Sequence, residues 1–129
     1  MGTLTVLGVV VFASYGDYSH LAQNAEAVSL MSAAKAPLGD YFQRYEKWPD
    51  NLDDIVDTTN ARFTKSIGIS KGAGETGAIE LTATMRTEGV DRRVAGRTIL
   101  MTSSDGGKTW TCKRGTMRQD DLPARCQAK

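Results

Sequence analysis

The chain has 129 residues, 40% of them hydrophobic and 24% charged, which is the size and balance of one folded domain with one core. That composition excludes a disordered chain and a collagen-like repeat, and it is silent about activity. The formal charge of +1 conceals a division: residues 1–61 carry three bases against eight acids, and residues 62–129 carry thirteen bases against seven acids. Polarity of this kind orients subunits in an assembly or meets an acidic partner, and it is also what a solvated surface with accidental segregation gives.

The stretch Leu4 to Ala13 is apolar except for Thr5, with Val9-Val10-Val11-Phe12 at its centre. As a helix it covers roughly 15–20 Å, against about 30 Å of bilayer hydrocarbon, so it is too short to span alone. It lacks the basic n-region and cleavage site of a secretory signal. We read it as half of a longer apolar helix.

From Tyr15 to Tyr45 the apolar positions Leu21, Ala25, Val28, Met31, Ala34, Leu38, Tyr41 or Phe42, and Tyr45 recur at spacings of three and four, the period of a helix. Glu26, Ser29, Ser32 and Lys35 fall on other faces. One helix then does two jobs. Its apolar half, residues 1–14, must be buried in lipid or among neighbouring chains, whereas its amphipathic half, 15–48, needs cover along one stripe only. Pro37 lacks an N–H and clashes with the carbonyl of Ala33, and Gly39 weakens the same turn, so a kink is expected there. Trp48-Pro49-Asp50 ends the helix. A variable loop, 49–64, follows, in which Asp50 to Asn60 holds at most a turn or a short helix through Leu52 and Ile55.

After Phe63 the period changes to two and β-branched residues become common. Candidate strands are Ser66 to Ser70, Ala78 to Met85, Thr98 to Ser103 and Lys108 to Lys113. Asp105-Gly106-Gly107 between the last two is the strongest turn signal, because glycine permits the positive φ that a tight hairpin needs. The expected fold is α+β: a long N-terminal helix packed on a four-stranded antiparallel meander that occupies 65–129 together with a C-terminal disulfide loop.

Two cysteines form a pair, a redox centre or two unrelated thiols. Thirteen residues separate Cys112 from Cys126. That spacing excludes a CxxC redox motif, two cysteines with one distant histidine make a poor zinc site, and an even count near a C terminus suits a disulfide in an exported protein.

Few residues suggest chemistry. His20 follows Asp17-Tyr18-Ser19, but neighbours on a helix point about 100° apart, so Ser19 and His20 cannot meet as nucleophile and base, and His20 is expected at the surface or at a subunit contact. Asp50, Asp53, Asp54 and Asp57 lack the spacing of a calcium-binding loop and are expected to cap a short helix. No phosphate-binding loop, dinucleotide fingerprint or HExxH motif occurs, so no catalytic residue, cofactor or metal is assigned. The bases Arg92, Arg93 and Arg97 in one loop, and Lys113, Arg114, Arg118 and Arg125 in or beside the disulfide loop, form a candidate basic contact surface. Gathered on one face they would meet phosphate, and dispersed they are a solvated charge set.

Two stretches are more specific. Ala13-Ser14-Tyr15-Gly16-Asp17-Tyr18, then Ala25-Glu26-Ala27-Val28, Ala34-Lys35 and the helix end at Lys47-Trp48-Pro49, resemble the N-terminal helix of type IVa pilins. Gly107-Lys108-Thr109-Trp110-Thr111-Cys112 with Leu122-Pro123-Ala124-Arg125-Cys126 is similar to the last strand and closing loop of those pilins. The middle of the chain carries no residue-level match. The sequence has no prepilin leader and Ala13 stands where many pilins have a helix-breaking proline, so the chain is expected to begin partway into the family's first helix. The resemblance implies the structural subunit of a type IV pilus serving adhesion, twitching motility or DNA uptake. Leu4, Val6, Leu7, Val9, Val10, Val11 and Phe12 would lie in the filament core. It further implies identical subunits and the inner-membrane assembly machinery as partners, with a host surface or DNA beyond them, and an inner-membrane stage before the extracellular filament. A DNA-binding minor pilin and a secretion pseudopilin are the alternatives.

Overall fold

The computed structural model describes residues 19–126, so the filament-core positions Leu4, Val6, Leu7, Val9, Val10, Val11 and Phe12 lie outside the described residues. The helical region is two segments, α1 (Ser19–Ala33) and α2 (Lys35–Tyr45). At the junction the Ala34 N–H turns to the Met31 carbonyl at 3.1 Å, one residue short of helical register, and register resumes with the Leu38 N–H on the Ala34 carbonyl at 3.0 Å. Pro37 is the cause. Having no N–H to give the Ala33 carbonyl and needing room there, it displaces the bend toward Ala34 and itself sits in the first turn of α2, where no intrahelical donor is required.

α2 ends at Tyr45, before the Trp48-Pro49 expected from sequence. Glu46 takes a left-handed conformation (φ 59°) and its N–H closes on the Phe42 carbonyl at 2.7 Å. This reversal carries Trp48 off the helix and into the core, where it is fully buried, stacks on Phe42 with centroids 4.5 Å apart and donates its Nε1–H to the Gly77 carbonyl at 2.7 Å.

The sheet comprises β1 (Thr64–Lys71), β2 (Ile79–Met85), β3 (Thr98–Ser103) and β4 (Thr111–Arg114), antiparallel in the order β1-β2-β3-β4. Along β2 burial alternates strictly, with Ile79, Leu81, Ala83 and Met85 inward. Ile67 and Ile99 stand opposite Ala83, on the two flanking strands. The stripe Ala27, Val28, Met31, Ala34 and Leu38 covers this face and shares its core. The helices run from one end of the sheet to the other. Ser19 and Gln23 bond to Asp91 in the β2–β3 loop, while α2 reaches the β3–β4 hairpin. There Gly107 (φ +88°) lies so close that a Cβ on it would stand 3.4 Å from the Gly39 Cα and 3.3 Å from the Trp48 ring. In the 49–64 loop the turn is anchored by buried Leu52, whose carbonyl accepts from Ile55 and Val56 at 2.9 Å.

One helix side chain fixes where the sheet begins. Glu26 accepts the Arg62 N–H on Oε2 at 2.9 Å, and on Oε1 the N–H groups of Phe63 and Thr64 at 3.0 and 2.9 Å together with the Thr64 hydroxyl at 2.8 Å. Partial burial pushes the Glu26 carboxyl up, but those hydrogen bonds together outweigh it and hold the group below its ordinary 4.5. Ionised Glu26 therefore stabilises the fold above about pH 4.5, and the contribution is lost as pH falls through the lower folded-state value. Glu26→Gln, which sets an amide NH2 against backbone donors, is expected to cost about 1–3 kcal/mol at neutral pH. Guanidinium unfolding on acidification checks this: the variant should lose less stability than the wild type, and parallel losses would refute the clamp.

Candidate functional site

The C-terminal region is a covalently closed edge on the sheet. After β4 the chain has no ladder to follow and passes through two short 3-10 turns, Gln119–Asp121 and Ala124–Cys126. Cys126 is bonded to Cys112 of β4, with the two Cα atoms 5.1 Å apart. Met117, Leu122 and Cys126 are buried, so this segment is seated by apolar contact as well as by the bridge. Next to it, Trp110 donates its Nε1–H to the Gly107 carbonyl at 3.1 Å, and its ring lies 6.3 Å from that of Trp48. The hairpin before β4 is wound around Asp105, whose carboxylate accepts from the Ser103 hydroxyl at 2.9 Å, the Thr109 N–H at 2.9 Å and the Thr109 hydroxyl at 2.6 Å. The Thr109 hydroxyl first, and its N–H second, draw the Asp105 pKa down to about 2.

The expectation that His20 lies at the surface is wrong. His20 is 8% exposed and its Nε2 lies 3.5 Å from Oδ1 of Asp121, itself 6% exposed. One turn on, the Asn24 side chain donates to the Asp121 carbonyl at 2.6 Å. The start of α1 thus grips the C-terminal segment through polar groups. Ser19 takes a separate partner, donating to Asp91 Oδ2 at 3.1 Å. The hydroxyl and the imidazole are engaged in different directions, as their adjacency in the helix requires.

Asp91 organises the β2–β3 loop. Its N–H donates to Gln23 Oε1 at 2.8 Å, its carbonyl accepts from Val94 and Ala95, and Val94 is fully buried beneath. Arg93 forks onto the Asp91 carboxylate, Nε to Oδ1 at 3.0 Å and Nη2 to Oδ2 at 2.8 Å. That guanidinium, then the Arg93 N–H, holds the Asp91 carboxyl well below the usual carboxylate range. Arg97 reaches across to the Thr116 carbonyl at 2.9 Å, in the segment that carries Arg118.

Of the seven bases singled out in the sequence, the fold gathers four: Arg92, Arg93, Arg97 and Arg118 line one open groove with Asp91. Lys113 is turned elsewhere, lining a depression on the outer sheet face with Lys71, Glu80, Thr102 and Thr111. Arg114 and Arg125 are exposed and line neither. The acids of the 49–64 loop behave individually. Asp50, Asp53, Asp54 and Asp57 are exposed, the turn is capped by Asn51 accepting the Asp53 N–H at 3.0 Å, and Asp57 accepts from Thr59. Among the described residues no three His, Cys, Asp or Glu side chains gather to hold a metal ion.

A helix laid along one face of a four-stranded meander, with the C-terminal segment tied back to the last strand, defines a structural subunit whose working surfaces are broad faces rather than a cleft. Residues 22–127 match the model of the pilin family of bacterial filaments. The chain is 32% identical over 126 residues to the fimbrial protein EcpC of Eikenella corrodens, covering 95% of this chain and 80% of that protein. It is 25% identical over 123 residues to the type IV major pilin PilE1 of Neisseria gonorrhoeae (90% and 70%) and 25% over 121 residues to a fimbrial protein of Neisseria meningitidis serogroup A (89% and 67%). The chain belongs to the pilin family, as a type IV pilin.

Opening the disulfide should release the 115–126 segment. For a pair 14 residues apart, reduction is expected to cost about 3 kcal/mol of stability. Guanidinium unfolding with and without reductant measures it, and coincident midpoints would contradict the role given to the bridge.

Proposed function

We propose that this pilin is the major subunit of its filament and polymerises through its N-terminal helix, with Leu4, Val6, Leu7, Val9, Val10, Val11 and Phe12 in the filament core. The observation that carries the reading is the one-sided burial of α1 and α2. Their apolar stripe is consumed by the chain's own sheet, whereas Ala22, Ser29, Ala33 and Ala36 on other faces are exposed. Small side chains there let neighbouring helices approach closely. The apolar run that precedes them in sequence is costly in water and is buried equally well by lipid or by a bundle of identical helices. Before assembly the same run holds the subunit in the inner membrane, where the assembly machinery supplies the work of extension, since the chain carries no nucleotide-binding motif. Among the described residues no helix is long and apolar enough to cross a membrane.

The subunit acts without catalysis, and the assembled filament serves adhesion or surface motility. The outward surfaces are the sheet, the disulfide-closed edge and the basic groove. Val10→Lys is expected to abolish filaments seen by electron microscopy of cells while leaving a folded subunit with its disulfide formed. Filaments of normal number and length in that strain would remove the assembly role of the apolar segment.

A further inference from the structure

The arginine groove lies at the end of the domain from which the apolar segment departs. α1 begins there, with Ser19 and Gln23 bonded to Asp91, and all four arginines belong to the β2–β3 loop or to the segment after β4, whose Asp121 lies beside His20. In sequence Ala13, the last residue of the apolar run, stands six positions before Ser19. Whatever path the backbone takes, six residues reach at most about 20 Å. A membrane that accepts Leu4 to Ala13 is therefore held close to this end of the domain.

We infer that Arg92, Arg97 and Arg118, beside an Arg93 already paired with Asp91, form a contact for the phosphates of an anionic bilayer, steadying the unassembled subunit on the membrane that holds its apolar segment. The inference rests on the membrane stage proposed above. Guanidinium groups fork onto phosphate oxygens, and clustered bases beside a membrane-entering segment read as a site for anionic lipid. Here the cluster is built on fixed backbone. Val94 is buried under the loop, the Gly96 N–H bonds the Arg86 carbonyl at 3.1 Å, and the Arg118 segment is tied in by the Met117 N–H on the Thr98 carbonyl at 3.1 Å. Arg93 is steered by Asp91 and Arg97 by the Thr116 carbonyl. Of the acids nearby, Asp91 lines the groove with its carboxylate taken up by Arg93, Glu88 lines a separate depression with Lys65 and Arg86, and Asp120 is exposed beside Arg118.

Duplex DNA fits less well. It needs bases continued along one stripe, whereas Lys71 and Lys113 line a depression on the outer sheet face and Lys108 belongs to the far hairpin.

Flotation of the full chain with vesicles tests the contact. Phosphatidylcholine vesicles measure the apolar segment, and an equal mixture with phosphatidylglycerol adds the anionic surface. Partitioning is expected to rise on the anionic vesicles and to weaken with salt. Arg92→Gln combined with Arg118→Gln should reduce that rise on the order of tenfold or more, since each base near an anionic surface is worth about fivefold. Lys71→Gln with Lys108→Gln, at the other end of the sheet, should leave it intact. Unfolding midpoints equal to wild type establish that both variants are folded. Absence of flotation with either vesicle would overturn the membrane stage itself. Flotation on neutral vesicles with no anionic gain, or a gain the arginine variant retains, would leave that stage standing and overturn the contact. Tighter binding to duplex DNA than to anionic vesicles, lost in the same variant, would assign the groove to nucleic acid instead.

Discussion

The docking of α1 and α2 on the sheet is the interaction on which the rest of the molecule depends. Met31, Leu38, Leu81, Met85 and Ile99 are fully buried across it, and each such side chain contributes about 1.5–3 kcal/mol through removal from water. The hydrogen bonds along the same seam are worth roughly 0.5–1.5 kcal/mol each in net terms. Apolar burial therefore drives the association, and the polar contacts decide its register. Glu26 fixes the start of β1, Gln23 and Ser19 fix the β2–β3 loop, and Asn24 and His20 hold the C-terminal segment. Every one of these anchors is on α1, so the helix is both the core's cover and the template for three loops.

That arrangement explains the work of the disulfide. Beyond Arg114 the chain leaves the ladder and forms only 3-10 turns, so its order depends on the Gly115 and Met117 N–H groups bonded to the Thr98 carbonyl, Met117 and Leu122 underneath, Asn24 at the side and Cys112 at the end. The bridge closes a long segment that lies outside the ladder. Arg118 lies within that closed segment, which ties the arginine groove to the same constraint.

The architecture was legible where one residue's environment is set by its neighbours in sequence. The switch from a period of three or four to a period of two after Phe63 announced helix then sheet, and Thr98 to Ser103 emerged as β3 with the bounds that its alternation implies. Where a group is claimed by a distant partner, sequence and structure part. β4 begins at Thr111 rather than Lys108 because the Thr109 N–H is taken by Asp105 and the Gly107 carbonyl by the Trp110 indole, which removes them from the ladder. β1 begins at Thr64, two residues early, because Glu26 holds that backbone. The burial of His20 depends on Asp121, and the groove depends on Arg118 standing on the same side as the β2–β3 loop, placements that only the closed C-terminal segment creates. His20 was noticed without its partner, whereas the arginines were singled out together and only the fold decided which of them gather.

Type IV pilins build filaments, and in the assembly proposed for this one the sheet faces outward and the N-terminal run inward. Electron cryo-microscopy of filaments assembled from this chain tests that arrangement most directly. Density for Leu4 to Ala13 is expected in a helical bundle on the filament axis, with Cys112–Cys126 and the outer face of β2 to β4 on the surface. A filament in which the sheet faces the axis, or in which Leu4 to Ala13 lies on the exterior, would contradict it.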